Sequence, residues 1–294
     1  MTAGSRRRWP ADLALAGLTL IWGATFVVVK QALESSSTLL FLALRFTLAG
    51  AALALLFRGP VRTAGKGAWR AGLVVGVPLF LGYLFQTLGL RLTTPAKSGF
   101  ITGLSVVLVP VLGALVYREW PSWNCWAGVA SATAGLYLLA MPAGSWGFER
   151  GDLLTLLCAV AFALHILLLG RFSRRVRAEA LSVAQVVVAA GLALGTFWWA
   201  EEVFVRWSFP LVGAVVATGL LATALAFSVQ TWAMQVTTAT HTALIFSLEP
   251  VFAGLTSYLV LGETLSSRGL RGAALILAGI ILAEVKPRGG QAHL

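Results

Sequence analysis

The feature that most constrains this chain is a series of apolar windows, each about as long as a membrane-crossing helix. A helix needs about 20 mostly apolar residues to cross the hydrocarbon core of a bilayer. Strands of a membrane barrel would need runs of about ten residues with strict alternation, which these windows lack. The pattern predicts an all-α integral membrane protein with ten transmembrane helices. The windows cover residues 11–30, 38–57, 70–90, 95–117, 122–141, 151–170, 180–199, 211–233, 239–261 and 267–285.

Composition and charge agree with a chain whose partner is a lipid bilayer. Apolar residues make up 58% of the sequence and charged residues only 11%, whereas soluble domains carry about 25% charged residues. The net charge of +11 raises the alternative of nucleic-acid binding. The basic residues, however, lie in short clusters between the apolar windows rather than on one solvated face. We therefore expect no nucleic-acid partner.

Lysine and arginine clusters predict the orientation of the chain. With ten spans, all of these clusters fall on the same side of the membrane, and the positive-inside rule makes that side cytoplasmic. Both termini are then expected in the cytoplasm. The clusters are Arg6, Arg7 and Arg8 before the first window, Arg58, Arg62, Lys66 and Arg70 after the second, Arg171, Arg174, Arg175 and Arg177 after the sixth, and Lys286 and Arg288 after the tenth.

The sequence also contains an internal repeat. Residues 86–119 align without a gap with residues 230–263, and the alignment shares Gln-Thr, Thr-Thr and a closing Glu. The openings of the first and sixth windows match as well, with Asp12 opposite Asp152. Two five-helix repeats are predicted, at residues 11–141 and 151–286. Because five is odd, the second repeat enters the membrane from the opposite face, as in alternating-access transporters whose sites lie near the bilayer midplane.

Four motifs resemble one known family. They are IWGATF in the first window, LRFTLAG in the second, GDLL at the start of the sixth and SLEPVFAGLTSYLVLGE at the end of the ninth. With these motifs the chain resembles the EamA-type branch of the drug/metabolite transporter superfamily, from about residue 11 to about residue 285. The resemblance implies a ten-helix carrier of small metabolites or drugs in a bacterial inner membrane, commonly an exporter. It also implies a central cavity lined by helices one, three, four, six, eight and nine.

Glu249 is the strongest single candidate for a functional residue, because it lies inside the ninth window and is followed by Pro250. A charge at the membrane centre costs roughly 3 kcal/mol on insertion scales, so an acid there is by default a functional hypothesis. The structural alternative is a carboxyl group that is protonated or paired within the bundle. Pro250 deprives a carbonyl near residue 246 of its helical hydrogen bond. If transport is coupled to protons, Glu249 is the candidate proton carrier.

Other residues are expected to line the substrate path because they share helix faces with polar or aromatic neighbours. For each polar member the alternative is a hydrogen bond between helices, worth about 0.6 kcal/mol. A tryptophan can instead fill the core, and a lone histidine is either a proton relay or a hydrogen-bonded core residue. The full set predicted to bind substrate is Trp22, Tyr83, Gln86, Ser98, Thr102, His165, Phe227, Gln230, Thr242, Phe246 and Glu249.

Several further residues receive structural or mechanical roles. Pro78, Pro110 and Pro250 interrupt predicted helices and are the expected hinges. Arg45 in the second window is interpreted as mainly structural, with a pair to Glu249 as the alternative. Lys97 and His241 occupy matching positions in the repeat and are expected to mark opposite mouths of the pathway.

The motifs present and absent favour a secondary transporter over an enzyme. No phosphate-binding GxxxxGK[ST] loop occurs, so we expect no ATP hydrolysis by this chain, and the histidines and cysteines lack the spacing of a metal site. No cofactor is expected. A membrane-embedded enzyme would need paired acids or another catalytic motif. A passive channel would share the polar helix faces, and it stays an alternative. The substrate is expected to be a small molecule such as an amino acid, a related metabolite or a drug, and assembly as a homo-oligomer is left open.

Overall fold

The computed structural model describes residues 3–118, 120–140, 149–252 and 266–284. Within these ranges the chain is helical apart from its connections and one antiparallel bridge between Ser36 and Val205. A π-helical segment, Ala217–Leu225, joins α10 to α11. The helices are α1 (Ala3–Ala32), α2 (Thr38–Leu56), α3 (Arg58–Arg62), α4 (Lys66–Leu92), α5 (Pro95–Gly103), α6 (Ser105–Tyr117), α7 (Trp123–Ala140), α8 (Arg150–Phe172), α9 (Ala178–Ala200), α10 (Phe209–Val216), α11 (Ala226–Ala233), α12 (Ala239–Phe246) and α13 (Ser267–Glu284).

Seven helical stretches in the described chain are long and apolar enough to cross a membrane. They coincide with the first four predicted windows and with the sixth, seventh and eighth. The other three windows hold α7, α12 and α13, and residues 253–261 of the ninth window lie outside the described residues. The chain is therefore a helical, multi-pass membrane protein, and the count of ten spans stays a prediction. The seven stretches are Trp9–Ala32, Thr38–Leu56, Lys66–Leu92, Lys97–Tyr117, Arg150–Phe172, Ala178–Ala200 and Phe209–Ala233.

Two of the predicted spans are interrupted near their middle. The fourth is broken between α5 and α6, where the N–H of Leu104 donates to the carbonyl of Ile101, three residues back, at 3.1 Å. The ninth is broken after α12, where the N–H of Leu248 donates to the carbonyl of Ile245 at 3.0 Å before helix resumes at residues 249–252. Leu104 and Leu248 stand opposite each other in the alignment of the repeat. The two breaks therefore occupy matching positions.

The three predicted hinge prolines have different surroundings. Pro78 is buried inside the continuous helix α4, and Pro110 lies inside α6. Pro250 follows the break after α12 directly, as the second residue of the resumed helix. Only Pro250 among the three is therefore adjacent to an interruption of the helical backbone.

Helices α7 and α13 approach each other through glycines. A Cβ atom added at Gly128 would lie 2.5 Å from the carbonyl oxygen of Gly279, and one added at Gly135 would lie 2.5 Å from that of Gly272. The pairing runs in opposite directions along the two helices, so they pack antiparallel. Small residues allow this backbone contact inside a membrane, where lipid is as apolar as leucine.

The other helices pack around α4. Helix α4 lies along α8 and α9, while α2 lies along α9 and the π-helical segment. The approach to α9 is close, because a Cβ atom at Gly76 would lie 2.7 Å from the carbonyl oxygen of Gln185. Helices α1, α5, α11 and α12 complete the wall of a central cavity beside α4.

Candidate functional site

A cavity in the middle of the bundle collects most of the residues predicted to bind substrate. Its volume is about 80 Å³, which is room for several water molecules or a small solute. Nine of the eleven predicted residues line it. The lining residues are Trp22, Thr25, Phe26, Val29, Arg45, Tyr83, Gln86, Thr87, Leu90, Gly99, Thr102, Gly103, Ser105, Phe162, His165, Ile166, Phe227, Gln230, Phe246, Glu249 and Pro250.

Glu249 begins the helical turn that follows the break after α12, and its half-buried side chain lines the cavity. Within the part of the chain that the structure describes, no lysine, arginine or histidine nitrogen lies within 4 Å of its carboxyl oxygens. The expected alternative of an ion pair with Arg45 is therefore not formed in this conformation. The break places a carboxyl group beside a space that can hold water or solute.

Aromatic rings form much of the cavity wall. The ring of Trp22 meets that of Phe246 edge to face, with centroids 4.9 Å apart, and lies 6.0 Å from that of Phe227. Tyr83 meets Phe162 edge to face at 5.2 Å. Such rings offer flat apolar surface for stacking. The wall therefore combines aromatic faces with one carboxyl group.

Arg45 extends from α2 to the π-helical segment and is almost fully buried. Its Nε donates to Thr223 Oγ1 at 2.8 Å, and its guanidinium carbon lies 4.2 Å from the centroid of the Tyr83 ring. The carbonyl of Ala222 accepts from Trp22 Nε1 at 3.0 Å and from Arg45 Nη2 at 3.4 Å. A π-helical turn displaces carbonyls from the α-helical ladder. The carbonyl of Ala222 in this segment therefore accepts hydrogen bonds from side chains of both α1 and α2.

His165 belongs to a polar chain that leads away from the cavity. Its Nε2 lies 2.8 Å from Gln185 Oε1, and Gln185 Nε2 donates to Thr231 Oγ1 at 3.0 Å. The Thr231 hydroxyl in turn donates to the carbonyl of Phe227. With this assignment Nε2 of His165 carries the proton in the hydrogen bond to Gln185. The network favours a fixed, hydrogen-bonded histidine at the wall of the cavity.

Of the amide and hydroxyl side chains predicted to bind substrate, some line the cavity and others are buried elsewhere. Gln86 and Gln230 line the cavity, and the buried Gln230 Oε1 has no hydrogen-bond partner among the described residues. An unpaired buried acceptor is costly, so a donor on a solute or a water would stabilise it. Ser98 and Thr242 are fully buried but are not part of the cavity lining, and Thr102 lines it with its hydroxyl 3.7 Å from the Cys158 sulfur.

The cavity includes residues that the sequence did not single out for binding. Arg45 was expected to be mainly structural, yet its guanidinium borders the cavity. The sequence does indicate a position of Arg45 near the cavity, because an ionisable residue inside a membrane span usually faces the bundle interior. Thr25 and Thr87 also line the cavity, and nothing but their position on the helix faces of Trp22 and Tyr83 could have indicated them. No cluster of three or more potential metal ligands occurs among the described residues.

The chain is similar in sequence and in fold to known proteins. The model of the EamA-like transporter family matches residues 9–141 and 149–284. An uncharacterized transporter of Archaeoglobus fulgidus is 36% identical over 284 residues, which cover 95% of this chain and 87% of the relative. The WAT1-related protein At3g02690, chloroplastic, of Arabidopsis thaliana is 26% identical and covers 90% of this chain and 66% of that protein. A solved crystal structure with 25% identity has a TM-score of 0.78 and covers 94% of this chain.

Proposed function

Because the chain belongs to the EamA-like transporter family, we propose that it is a secondary transporter that moves a small solute through the central cavity by alternating access. The solute classes that fit the wall are small metabolites, such as amino acids or related compounds, and drugs. The family and the name of the Archaeoglobus fulgidus relative support a transporter rather than an enzyme. The proposed location is the bacterial inner membrane, with both termini in the cytoplasm and export as the direction.

The observation that carries this proposal is the environment of Glu249. Its carboxyl group borders a cavity that can hold solute, and no cation of the described chain lies within 4 Å of it. Acids at membrane depth face water-filled paths or partners. A carboxyl group at such a position can bind a donor on the solute, or it can carry a proton as the coupling ion.

The paired helix breaks support a site at the centre of an inverted repeat. Transporters of this type bind their substrates where discontinuous helices meet near the bilayer midplane. Here Gly103 and Ser105 border the cavity on either side of the break at Leu104, and Phe246 and Glu249 border it on either side of the second break. Matching breaks that face one cavity are what two inverted five-helix repeats would produce.

The glycine contacts between α7 and α13 support the same symmetry. Gly128 and Gly135 of α7 have the same spacing as Gly272 and Gly279 of α13, and each α7 glycine meets one of the α13 glycines across the contact. A two-fold axis in the membrane plane between these helices would generate this exchange. We propose ten spans arranged as two such repeats, one rocking against the other.

The proposal is tested by replacing Glu249 with glutamine. A library of amines, amino acids and aromatic metabolites is first screened by thermal shift of the purified protein, and a radiolabelled form of the strongest hit is then used in proteoliposomes. In Glu249→Gln we expect the initial rate of exchange to fall about tenfold or more, equivalent to about 1.4 kcal/mol.

The matched control is Glu179→Gln, which changes an exposed acid on α9 and is expected to leave exchange unchanged. Both variants should elute from a sizing column like the parent. Normal exchange by a well-folded Glu249→Gln variant would show that the acid is structural and that the site is wrongly assigned.

A further inference from the structure

Two pairs of a basic and an acidic side chain join the proposed halves of the protein. Lys97 Nζ of α5 lies 2.7 Å from Asp152 Oδ2 of α8, and His241 Nε2 of α12 lies 3.0 Å from Asp12 Oδ1 of α1. Lys97 stands opposite His241 in the aligned repeat, and Asp152 stands opposite Asp12. In each pair the cation comes from one half and the carboxylate from the other.

The two pairs lie at opposite ends of the cavity. Asp152 is in the first turn of α8, whereas Arg174, just beyond the other end of this helix, donates to the carbonyl of Thr237 at 2.8 Å, shortly before His241. A helix of the 23 residues of α8 is about 35 Å long. The pairs are therefore separated by roughly the thickness of the membrane core.

Each cation is positioned in the same way. Thr94 caps α5, and its hydroxyl oxygen accepts from the backbone N–H of Lys97 at 3.3 Å. Thr238 caps α12, and its hydroxyl oxygen accepts from the backbone N–H of His241 at 3.2 Å. The caps fix the first turn of both helices. The two ends thus have equivalent local structures that carry different cations.

The ends differ in how completely their carboxylates are bonded. Asp152 also accepts from Thr93 Oγ1 at 3.0 Å and from the backbone N–H of Glu149 at 2.8 Å. Thr237, which stands opposite Thr93, is buried, and its hydroxyl has no partner among the described residues. The side chain of Asp12 is 28% exposed, against 1% for Asp152. The threonine bond is made at the Lys97 end and not at the His241 end.

We propose that the Lys97–Asp152 and His241–Asp12 pairs are the two latches of the transport cycle, each of which releases when the cavity opens to its own end. This inference rests on the proposed alternating-access function. Because each pair joins opposite halves, rocking that opens one end must separate that pair.

The test measures access to the cavity without any solute. Cys125 and Cys158 are replaced by serine and alanine, and Thr25→Cys supplies a reporter that lines the cavity. Among the described residues its hydroxyl bonds only within its own helix, to the carbonyl of Trp22 at 2.8 Å, so the replacement is mild. A membrane-impermeant maleimide labels the reporter in right-side-out and in inverted vesicles, and labelling is normalised to the denatured protein.

We expect Asp12→Asn to raise labelling several-fold in one vesicle type and Lys97→Met/Asp152→Asn to raise it in the other. The double replacement avoids leaving the buried Asp152 carboxylate without its cation. Unchanged labelling in both variants, or an increase from the same side in both, would overturn the proposal.

The matched control is Glu179→Gln, which changes an exposed acid on α9 and should leave labelling unchanged from both sides. An equal rise of labelling in this control would contradict the assignment of the latches. If labelling changes as expected in these variants but the protein does not exchange solute, the transporter function would be disproved while the assignment of the two latches would stand.

Discussion

Two helix contacts in this protein are built from opposite kinds of interaction. Between α7 and α13 the backbones touch directly, with the glycine pair Gly135 and Gly272 leaving no room for a Cβ atom. Between α2 and the π-helical segment the contact includes a buried charged side chain, because Arg45 donates to Thr223 and Ala222. The centre of the first contact holds only a short hydroxyl among the described residues, because Ser131 donates to the carbonyl of Leu275 at 2.8 Å, whereas the second contact depends on a long charged side chain.

The difference indicates which contact can rearrange. A backbone-to-backbone contact has a single close-packed arrangement, because any shift separates atoms without offering new partners. A guanidinium group can exchange one carbonyl for another, and a π-helical segment can shift its hydrogen bonds by one residue. We therefore expect the contact between α7 and α13 to stay closed as the axis about which the two proposed repeats rock, and the π-helical segment to change during transport.

Removal of the guanidinium group should have the larger effect. Arg45→Met deletes the donors to Thr223 and Ala222, and a hydrogen bond from a charged group contributes about 1.5 to 3 kcal/mol. We expect hydrogen–deuterium exchange of peptides covering residues 217–225 to accelerate and solute exchange to be lost. Arg45→Lys should behave similarly, because an ammonium group cannot reproduce the forked geometry.

The control for this prediction is Arg58→Met, which removes an exposed arginine whose Nε bonds only the carbonyl of Leu55 in this structure. In that variant, hydrogen–deuterium exchange at residues 217–225 should be as slow as in the parent protein. If protection of residues 217–225 from hydrogen–deuterium exchange is unaltered in Arg45→Met, the π-helical segment is stabilised by its own packing and not by Arg45.

A methyl group in the glycine contact should have the smaller effect, confined to stability. In Gly135→Ala the added Cβ would lie 2.5 Å from the carbonyl oxygen of Gly272, so the helices must separate at a cost of roughly 1 to 3 kcal/mol. We expect a lower melting temperature in detergent. Gly191→Ala is the matched control, because a Cβ at Gly191 meets no atom within 4 Å. Equal melting of the two variants would contradict the close approach of α7 and α13.

Much of the fold could be predicted from the sequence because lipid imposes a simple requirement. Apolar windows of spanning length predicted the seven long helical stretches. The break at Leu104 was not predicted, since no proline follows it directly as Pro250 follows Glu249. The π-helical segment was also missed, because periodicity does not separate it from an α-helix.

The candidate site was partly predictable for a related reason. Glu249 is conspicuous in an apolar window, and helical spacing connected it to Phe246. The same spacing included Thr242, which the structure buries away from the cavity, because a shared helix face does not fix how that face is divided between cavity and neighbouring helix.

The central claim is that the cavity is a carrier site rather than a pore, and counterflow in proteoliposomes tests it most directly. Vesicles are loaded with an excess of the unlabelled solute identified by thermal shift, and a trace of the labelled solute is added outside. Alternating access predicts a transient overshoot of labelled solute inside and an initial rate that saturates with concentration. A monotonic approach to equilibrium at a rate proportional to concentration would contradict the account and indicate a passive channel.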